Sequence, residues 1–197
     1  MAHIDEREIA ALSAKYGQPW REHHYLDVAA ETLAYWKERT REHRGEVVFF
    51  LLRKSDKVLL HRKDFYPLGI YRVPSGGIRH GESILSALHR EATEETGLLV
   101  TVQRFLALVT YDFLCQGDRL PFVSYLFVVA SSEQAVSAQD KGERITEYRE
   151  VPLADLTAIA EQLESLSGRW RDWGRFRAVA HRVAARHWPE EEREGSA

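Results

Sequence analysis

The chain has 197 residues, of which 44% are hydrophobic. This is enough apolar material for one domain with a sizeable core, and too much for a disordered chain. The formal charge of −3 excludes a global positive field that would recruit nucleic acid or an anionic membrane. Cys115 is the only cysteine, so an intramolecular disulfide is excluded.

The first 17 residues lack the basic start and apolar core of a signal peptide. No apolar run approaches the roughly 20 residues that a membrane-spanning helix needs. By elimination, the sequence predicts a cytoplasmic protein with no membrane partner.

Two helical patterns precede the first strong strand signal. Ile9, Leu12 and Tyr16 recur at helical spacing before Gly17, and a second helical run covers residues 28–44. They predict an N-terminal helical extension over residues 1–45. It could cover the sheet, donate a lid or make a homodimer contact, and the sequence does not choose among these roles.

The middle of the chain alternates strands with one helix. The continuous apolar run at 46–53 predicts a buried strand, and residues 57–62 its hairpin partner after a turn at Ser55 and Asp56. Further segments follow in chain order: strands at 101–114 and 120–131, a loop at 132–142, a strand at 146–151 and a helix at 152–164. This order predicts an α+β domain with helices on the faces of a mixed sheet.

The most informative stretch is residues 76–98, GGIRHGESILSALHREATEETGL. Glu91, Glu94 and Glu95 are spaced i, i+3, i+4, so a helix places them on one face, where like charges repel by a few tenths of a kcal/mol. A cation bound by all three would remove the repulsion. Oxygen-only ligands suit Mg²⁺ or Mn²⁺ and disfavour zinc. The ordinary alternative is a solvated acidic face.

The position of the glutamates on the helix argues against a merely solvated face. At about 100° per residue, Leu88 and Ala92 define an apolar arc, and the three carboxylates lie beside this arc rather than opposite it. We therefore expect them at the wall of a cleft.

This stretch resembles the signature of the Nudix hydrolases. The fixed positions of that motif correspond here to Gly76, Glu82, Arg90, Glu91, Glu94, Glu95 and Gly97. The resemblance covers residues 46–165 and implies an α/β/α sandwich around a mixed sheet. It also implies metal-dependent hydrolysis of a nucleoside diphosphate linked to another moiety, with Mg²⁺ or Mn²⁺ as cofactor.

The resemblance assigns expected roles to the motif residues. Glu91, Glu94 and Glu95 would bind the metal, and Glu91 would also act as the base or orient it. Arg90 would orient a nearby carboxylate. Glu82 lies far from the metal face on the helix, and we expect it to brace the loop against the helix through Arg90, with metal binding as the open alternative.

The glycines of the motif have backbone roles. Gly76 and Gly77 allow close backbone approach in a predicted Gly-rich turn, and Gly97 ends the helix. A backbone carbonyl near Ser75 or Gly76 is the expected additional metal ligand.

A further acidic residue from a distant segment is common in this family. Residues 143–156 offer Glu143, Glu147 and Glu150, and Glu147 best matches the position that family members use before their last strand. The aromatic residue that often follows is replaced by Glu150, which leaves the local register open.

The substrate is not encoded in a motif that we can identify. The proline, tyrosine and SQPW-type signals of the ADP-ribose, diadenosine polyphosphate and NADH hydrolase subfamilies are absent or misplaced. Arg62 and Tyr71 could contact a phosphate or a base, or could be ordinary strand residues.

Residues 166–197 predict a C-terminal amphipathic helix and a tail. An aromatic stripe that includes Trp170 and Trp173 would dock the helix. A different face carries Arg171, Arg175, Arg182 and Arg186. This basic face is either solvated, or one or two of its arginines reach a substrate phosphate.

Two other functions remain open on the sequence. The first is a non-catalytic module that senses a nucleotide, against which the complete carboxylate set argues. The second is isomerisation of an isoprenoid diphosphate, and Cys115 lies outside any motif connected with that chemistry.

Overall fold

The computed structural model describes residues 4–54, 57–132 and 135–188. The helices in these ranges are α1 (Glu6–Tyr16), α2 (Ala30–Glu42), α3 (Ile84–Thr96), α4 (Leu156–Glu164) and α5 (Arg171–His187). The strands are β1 (Trp20–Asp27), β2 (His43–Leu52), β3 (Lys57–Lys63), β4 (Ser75–Arg79), β5 (Thr101–Cys115), β6 (Asp118–Ala130) and β7 (Ile145–Pro152).

Strand β2 lies in the interior of the sheet and is buried on both faces. Because successive side chains of a strand point to opposite faces, a strand that is covered on both sides has to be apolar without interruption. Phe49 accordingly belongs to the core on one face, and Phe50 to the core on the other.

The seven strands form one mixed sheet in the order β1-β5-β6-β2-β3-β7, and β4 pairs with β2. The β1–β5 and β2–β6 pairs are parallel. The remaining pairs are antiparallel.

Helices cover both faces of this sheet. Ile9 of α1 and Leu88 of α3 pack into one core, and α2, α4 and α5 pack into the other. In the second core, Trp36 of α2 lies 5.2 Å from Phe113 and 4.8 Å from Phe176, measured between ring centroids. The α+β fold class and the α/β/α sandwich predicted from the sequence are therefore confirmed.

The structure contains two strands that the sequence pattern did not predict. Strand β1 lies within the predicted helical extension of residues 1–45 and pairs with β5. Most of its side chains are exposed or half-buried, since it lies at an edge, so it lacks the apolar alternation that marks a strand. Strand β4 contains Gly76 and Gly77, which were predicted to lie in a turn.

Both flanking segments contribute to the same two cores as the central region. Helix α1 packs on one face of the sheet, which is one of the roles considered for the N-terminal extension; the lid and homodimer roles stay predictions. The division of the chain at residues 45 and 165 stays a prediction. The turn predicted at Ser55 and Asp56 and the tail after residue 188 lie outside the described residues.

The C-terminal helix caps the N-terminus of α2. Ala29, the residue that precedes α2, has no side chain able to cap it. Asp172 of α5 does so instead: its Oδ2 accepts hydrogen bonds from the Ala29 N–H at 2.7 Å and the Thr32 hydroxyl at 2.9 Å. Burial by itself would raise the pKa of Asp172, but the Ala29 N–H and the Arg171 guanidinium outweigh burial and lower it.

We predict that Asp172→Ala destabilises the protein by about 1–2 kcal/mol, because the mutation leaves a helix N-terminus without its cap. Since the folded-state pKa is lowered, this contribution is complete above the unfolded-state pKa of about 3.9 and is lost as the pH falls further. Urea unfolding at pH 7 measures the loss. Asp155→Ala is the matched control, because Asp155 precedes α4 without capping it. Equal losses for the two variants would contradict the capping role.

Candidate active site

Helix α3 ends at Gly97, as the sequence predicts, and begins after Ser83. The Ser83 side chain accepts a backbone hydrogen bond at the N-terminus, and Gly97 adopts the left-handed conformation, φ 73°, at the C-terminus. Ile84, Leu88 and Ala92 bury the apolar arc against the sheet. This packing fixes the direction in which the acidic face points.

Arg90 is the centre of the hydrogen-bond network on that face. Its guanidinium donates to both oxygens of Glu82 at 2.8 and 2.9 Å, and to Glu91 Oε1 at 2.6 Å. It also donates to Glu94 Oε2 at 3.0 Å and to the Gly77 carbonyl at 2.8 Å. The hydrogen bonds to Glu82 are the main reason why the pKa of Arg90 is raised. The pairing of Glu82 with Arg90 is the geometry that a brace requires.

Glu91 is buried, with 6% of its surface exposed. Burial and the neighbouring Glu95 raise its pKa to about 7, and the ion pair with Arg90 opposes this only in part because three carboxylates share that guanidinium. A Cβ on Gly76 would overlap the Glu91 carboxylate. Glycine at position 76 therefore provides the space that the carboxylate occupies.

Glu95 is fully buried and has different partners from Glu91 and Glu94. Its Oε2 accepts a hydrogen bond from the Ser75 N–H at 3.0 Å, and its Oε1 lies 3.1 Å from Lys63 Nζ. Arg72 Nη2 is 3.9 Å from the same oxygen. Burial raises the pKa of Glu95, and the two cations oppose this rise.

Glu91 and Glu94 form an acidic cluster with a third residue, Glu143, from the loop that follows β6. One carboxylate oxygen from each of Glu91, Glu94 and Glu143 lies within 4.8 Å of the other two. A tight turn over Lys141–Glu143 positions the residue. Lys63 forms ion pairs with both Glu143 and Glu95.

The structure places Glu147 away from this acidic cluster. Glu147 forms an ion pair with Arg62 at 2.7 Å and accepts a hydrogen bond from the Tyr71 hydroxyl. Arg62 precedes Lys63 on β3, so the two side chains point to opposite faces of the sheet. Of the residues predicted to bind substrate or to complete catalysis, Arg62, Tyr71 and Glu147 do not line the cleft described next.

The acidic cluster lies at the wall of a cleft with a volume of about 710 Å³. Aromatic residues line another part of the cleft: Phe65, Tyr66, Trp170 and Trp173. The ring centroids of Tyr66 and Trp173 are 4.8 Å apart, and those of Trp170 and Trp173 are 5.3 Å apart. The C-terminal segment thus contributes directly to the lining.

None of the four arginines of the predicted basic face lines the cleft. Arg171 binds Asp172, Arg182 binds Glu164, Arg186 binds Glu22, and Arg175 donates to the Asp27 carbonyl. Instead, Arg169 and Arg177 of the same segment line it, together with Arg72 of the loop before β4. Helical spacing could have shown that Arg177 lies outside the basic face, but it could not show that Arg177 faces a cleft.

The acidic cluster fits a hard divalent cation. Its donors are carboxylate oxygens alone, which is the set that Mg²⁺ and Mn²⁺ prefer. Burial and the like charge of Glu95 together raise the pKa of Glu91, and a bound cation would oppose both effects.

Comparison with known protein families agrees with the motif. The profile of the family described as NUDIX domain matches residues 41–173, which is more than half of the chain. The chain belongs to the Nudix family, and the resemblance that the motif suggested is confirmed.

One curated relative is an ADP-ribose pyrophosphatase of Methanocaldococcus jannaschii, 30% identical over 94 residues. The alignment covers 47% of this chain and 54% of the relative, so it spans about half the length of that protein.

Two solved structures align with most of this chain. The E. coli dihydroneopterin triphosphate pyrophosphohydrolase aligns over 71% of this chain and 93% of its own, at 16% identity and a TM-score of 0.45. A NUDIX family hydrolase from Clostridium perfringens aligns over 70% and 95%, at 19% identity and a TM-score of 0.41.

None of the helices in the described residues combines the length and the apolar character that crossing a membrane requires.

We predict that Glu91 contributes a pH-dependent stability in metal-free buffer. Its folded-state pKa of about 7 lies above the unfolded-state value of about 4.3, so the contribution is present below pH 4 and is lost as the pH rises through 7. Relative to Glu91→Gln, the wild type should lose about 3 kcal/mol across this range, measured by urea unfolding in EDTA.

The control is Glu161→Gln, because Glu161 is exposed on α4 and should give a difference from the wild type that does not change with pH. A pH-independent difference for Glu91→Gln as well would show that burial does not raise the pKa of Glu91.

Proposed function

We propose that this protein hydrolyses a diphosphate bond in a nucleoside diphosphate linked to another moiety, with Mg²⁺ or Mn²⁺ as cofactor. The observation that carries the proposal is the acidic cluster of Glu91, Glu94 and Glu143 at the wall of a large cleft, built on the motif of the Nudix family.

Glu91, Glu94 and Glu143 are the residues proposed to hold the metal. Glu95 remains in the proposed set because of its position in the motif, although its carboxylate contacts Ser75 and Lys63 in this structure. When bound, a divalent cation neutralises diphosphate charge and lowers the pKa of a bound water.

The residues of the chain then have distinct proposed roles. Arg90 holds Glu91 and Glu94 in fixed positions, so that no reorganisation is needed when the substrate binds. Glu143 comes from a separate loop and faces the cleft, where it completes the set of carboxylates proposed to hold the metal. Glu147 was the residue favoured by sequence position, but it is bound to Arg62 and Tyr71.

The aromatic part of the cleft supports a nucleotide as the substrate. Trp170 and Trp173 offer ring surfaces of the kind on which a base can stack. The name of the relative from Methanocaldococcus jannaschii specifies ADP-ribose, which belongs to the proposed substrate class.

We predict that Glu94→Gln lowers turnover by about 100-fold or more, because the cluster loses one of its charges. The assay is a panel of nucleoside diphosphate derivatives with and without Mg²⁺, with the products identified by mass spectrometry. Mn²⁺ affinity, measured by electron paramagnetic resonance, should fall in parallel.

Glu38→Gln serves as the control, since Glu38 is exposed on α2 and pairs only with Arg41 among the described residues. Full activity of Glu94→Gln would overturn the assignment of the site. Tight nucleotide binding by the wild type without turnover would favour the sensing module, and double-bond migration in an isoprenoid diphosphate would favour the isomerase.

The roles of Glu143 and Glu147 can be separated by a second pair of variants. Glu143→Gln should lower kcat by about 100-fold and weaken Mn²⁺ binding, because it removes one of the carboxylates proposed to hold the metal. Glu147→Gln should keep most of the activity, since Glu147 does not line the cleft. The reverse pattern would restore Glu147 as the distal catalytic residue.

A further inference from the structure

Two arginines lie side by side at the floor of the cleft. Arg72 Nη1 donates a hydrogen bond to Ser75 Oγ at 2.9 Å, and Arg177 Nη1 donates to the same oxygen at 3.0 Å. Both residues line the cleft that contains the acidic cluster. Two positive charges that share one neutral acceptor repel each other, and burial strengthens the repulsion.

Arg72 is buried without a carboxylate in hydrogen-bond contact. Its side chain is 5% exposed, and its hydrogen bonds go to neutral acceptors: the Tyr66 hydroxyl at 2.7 Å, the Val73 carbonyl at 2.7 Å and Ser75 Oγ. The nearest carboxylate oxygen, Glu95 Oε1, is 3.9 Å from Nη2. Burial opposes the charge of Arg72, but Tyr66 and Glu95 outweigh burial and raise its pKa, so the guanidinium is charged and would attract an anion in the cleft.

Arg177 is held in place by a second buried carboxylate. Its Nη1 donates to Glu46 Oε2 at 2.8 Å, and the other oxygen of Glu46 accepts a hydrogen bond from the Ser124 hydroxyl at 2.8 Å. Arg177 Nε is buried and has no hydrogen-bond acceptor among the described residues. Glu46 therefore orients the guanidinium through Nη1, while the Nε–H donor has no acceptor among the described residues.

The relation of this pair to the acidic cluster defines what it can bind. The Ser75 N–H contacts Glu95 of the motif helix, and the Ser75 hydroxyl contacts the two arginines. Ser75 of β4 thus contacts both the motif helix and the arginine pair. Planar guanidinium donors match the oxygens of a phosphoryl group.

We propose that Arg72 and Arg177 form a phosphate-binding pair that receives a phosphoryl group of the substrate, with Ser75 setting the spacing between them. This proposal rests on the proposed function, in that a diphosphate occupies the cleft. It makes α5 a part of the binding site, because Arg177 belongs to that helix.

The test measures binding of inorganic diphosphate and of ADP by calorimetry in EDTA, where no turnover takes place. Arg177→Gln and Arg72→Gln should each lower the affinity by about tenfold to 100-fold, as expected for the loss of charge-assisted hydrogen bonds. Arg177→Lys should give an intermediate affinity, because it keeps the charge and loses the planar fork. Arg175→Gln is the matched control on α5 and should bind like the wild type.

Thermal unfolding of each variant shows whether it is folded. If the Gln variants do not fold, the wild type supplies the second measurement: diphosphate should protect Arg177, which is partly exposed, from butanedione, as mapped by mass spectrometry, and leave Arg175 reactive. A purely structural role would change the melting temperature of the variants without changing their affinity for diphosphate.

The proposal is overturned if the Gln variants bind diphosphate like the wild type, if diphosphate gives no protection, or if the wild type does not bind millimolar diphosphate. These outcomes are separable from a failure of the proposed function. Loss of binding in Arg177→Gln, together with no hydrolysis of any nucleotide by the wild type, would keep the phosphate-binding pair and reject the hydrolase.

Discussion

The geometry of the candidate active site depends on the hydrogen bonds of Arg90. One planar guanidinium contacts Glu82, Glu91, Glu94 and the Gly77 carbonyl, and so joins the acidic face of α3 to β4. Without this shared positive charge the carboxylates would repel one another at close range. A lysine could not replace it, because an ammonium group lacks the fork of five donors. The acidic face is therefore positioned from within the motif.

Strand β4 connects this face with the rest of the cleft. Gly76 leaves room for the Glu91 carboxylate, which any Cβ at that position would displace. Ser75, the preceding residue, contacts Glu95 through its backbone and the arginine pair through its hydroxyl. Because this one short strand contacts both the motif glutamates and the arginine pair, a shift of β4 would change the acidic cluster and the arginine pair together.

The sequence predicted the parts of the structure that depend on local pattern. The end of α3 follows from Gly97, and the buried strand follows from the apolar run around Phe49, since turn conformation and side-chain alternation are set by neighbouring residues. The spacing of the glutamates predicted all three at the wall of a cleft; Glu91 and Glu94 line the cleft, whereas Glu95 is fully buried.

The sequence could not predict which side chains meet across elements. A helical wheel groups Glu95 with Glu91, but Ser75 and Lys63, which separate their environments, come from two strands. Glu143 joins the acidic cluster through a tight turn, whereas spacing before the last strand favoured Glu147. Strand β1 was missed because its stability comes from pairing with β5, a contact more than 80 residues away along the chain.

Helix α5 caps α2 through Asp172 and lines the cleft through Arg177. A substitution that alters the docking of this helix would therefore affect folding and ligand recognition at once. If relatives differ in substrate preference, sequence changes within the C-terminal helix can account for that difference. A chimaera that exchanges this helix between relatives would have to exchange the N-terminus of α2 with it, because the two are complementary.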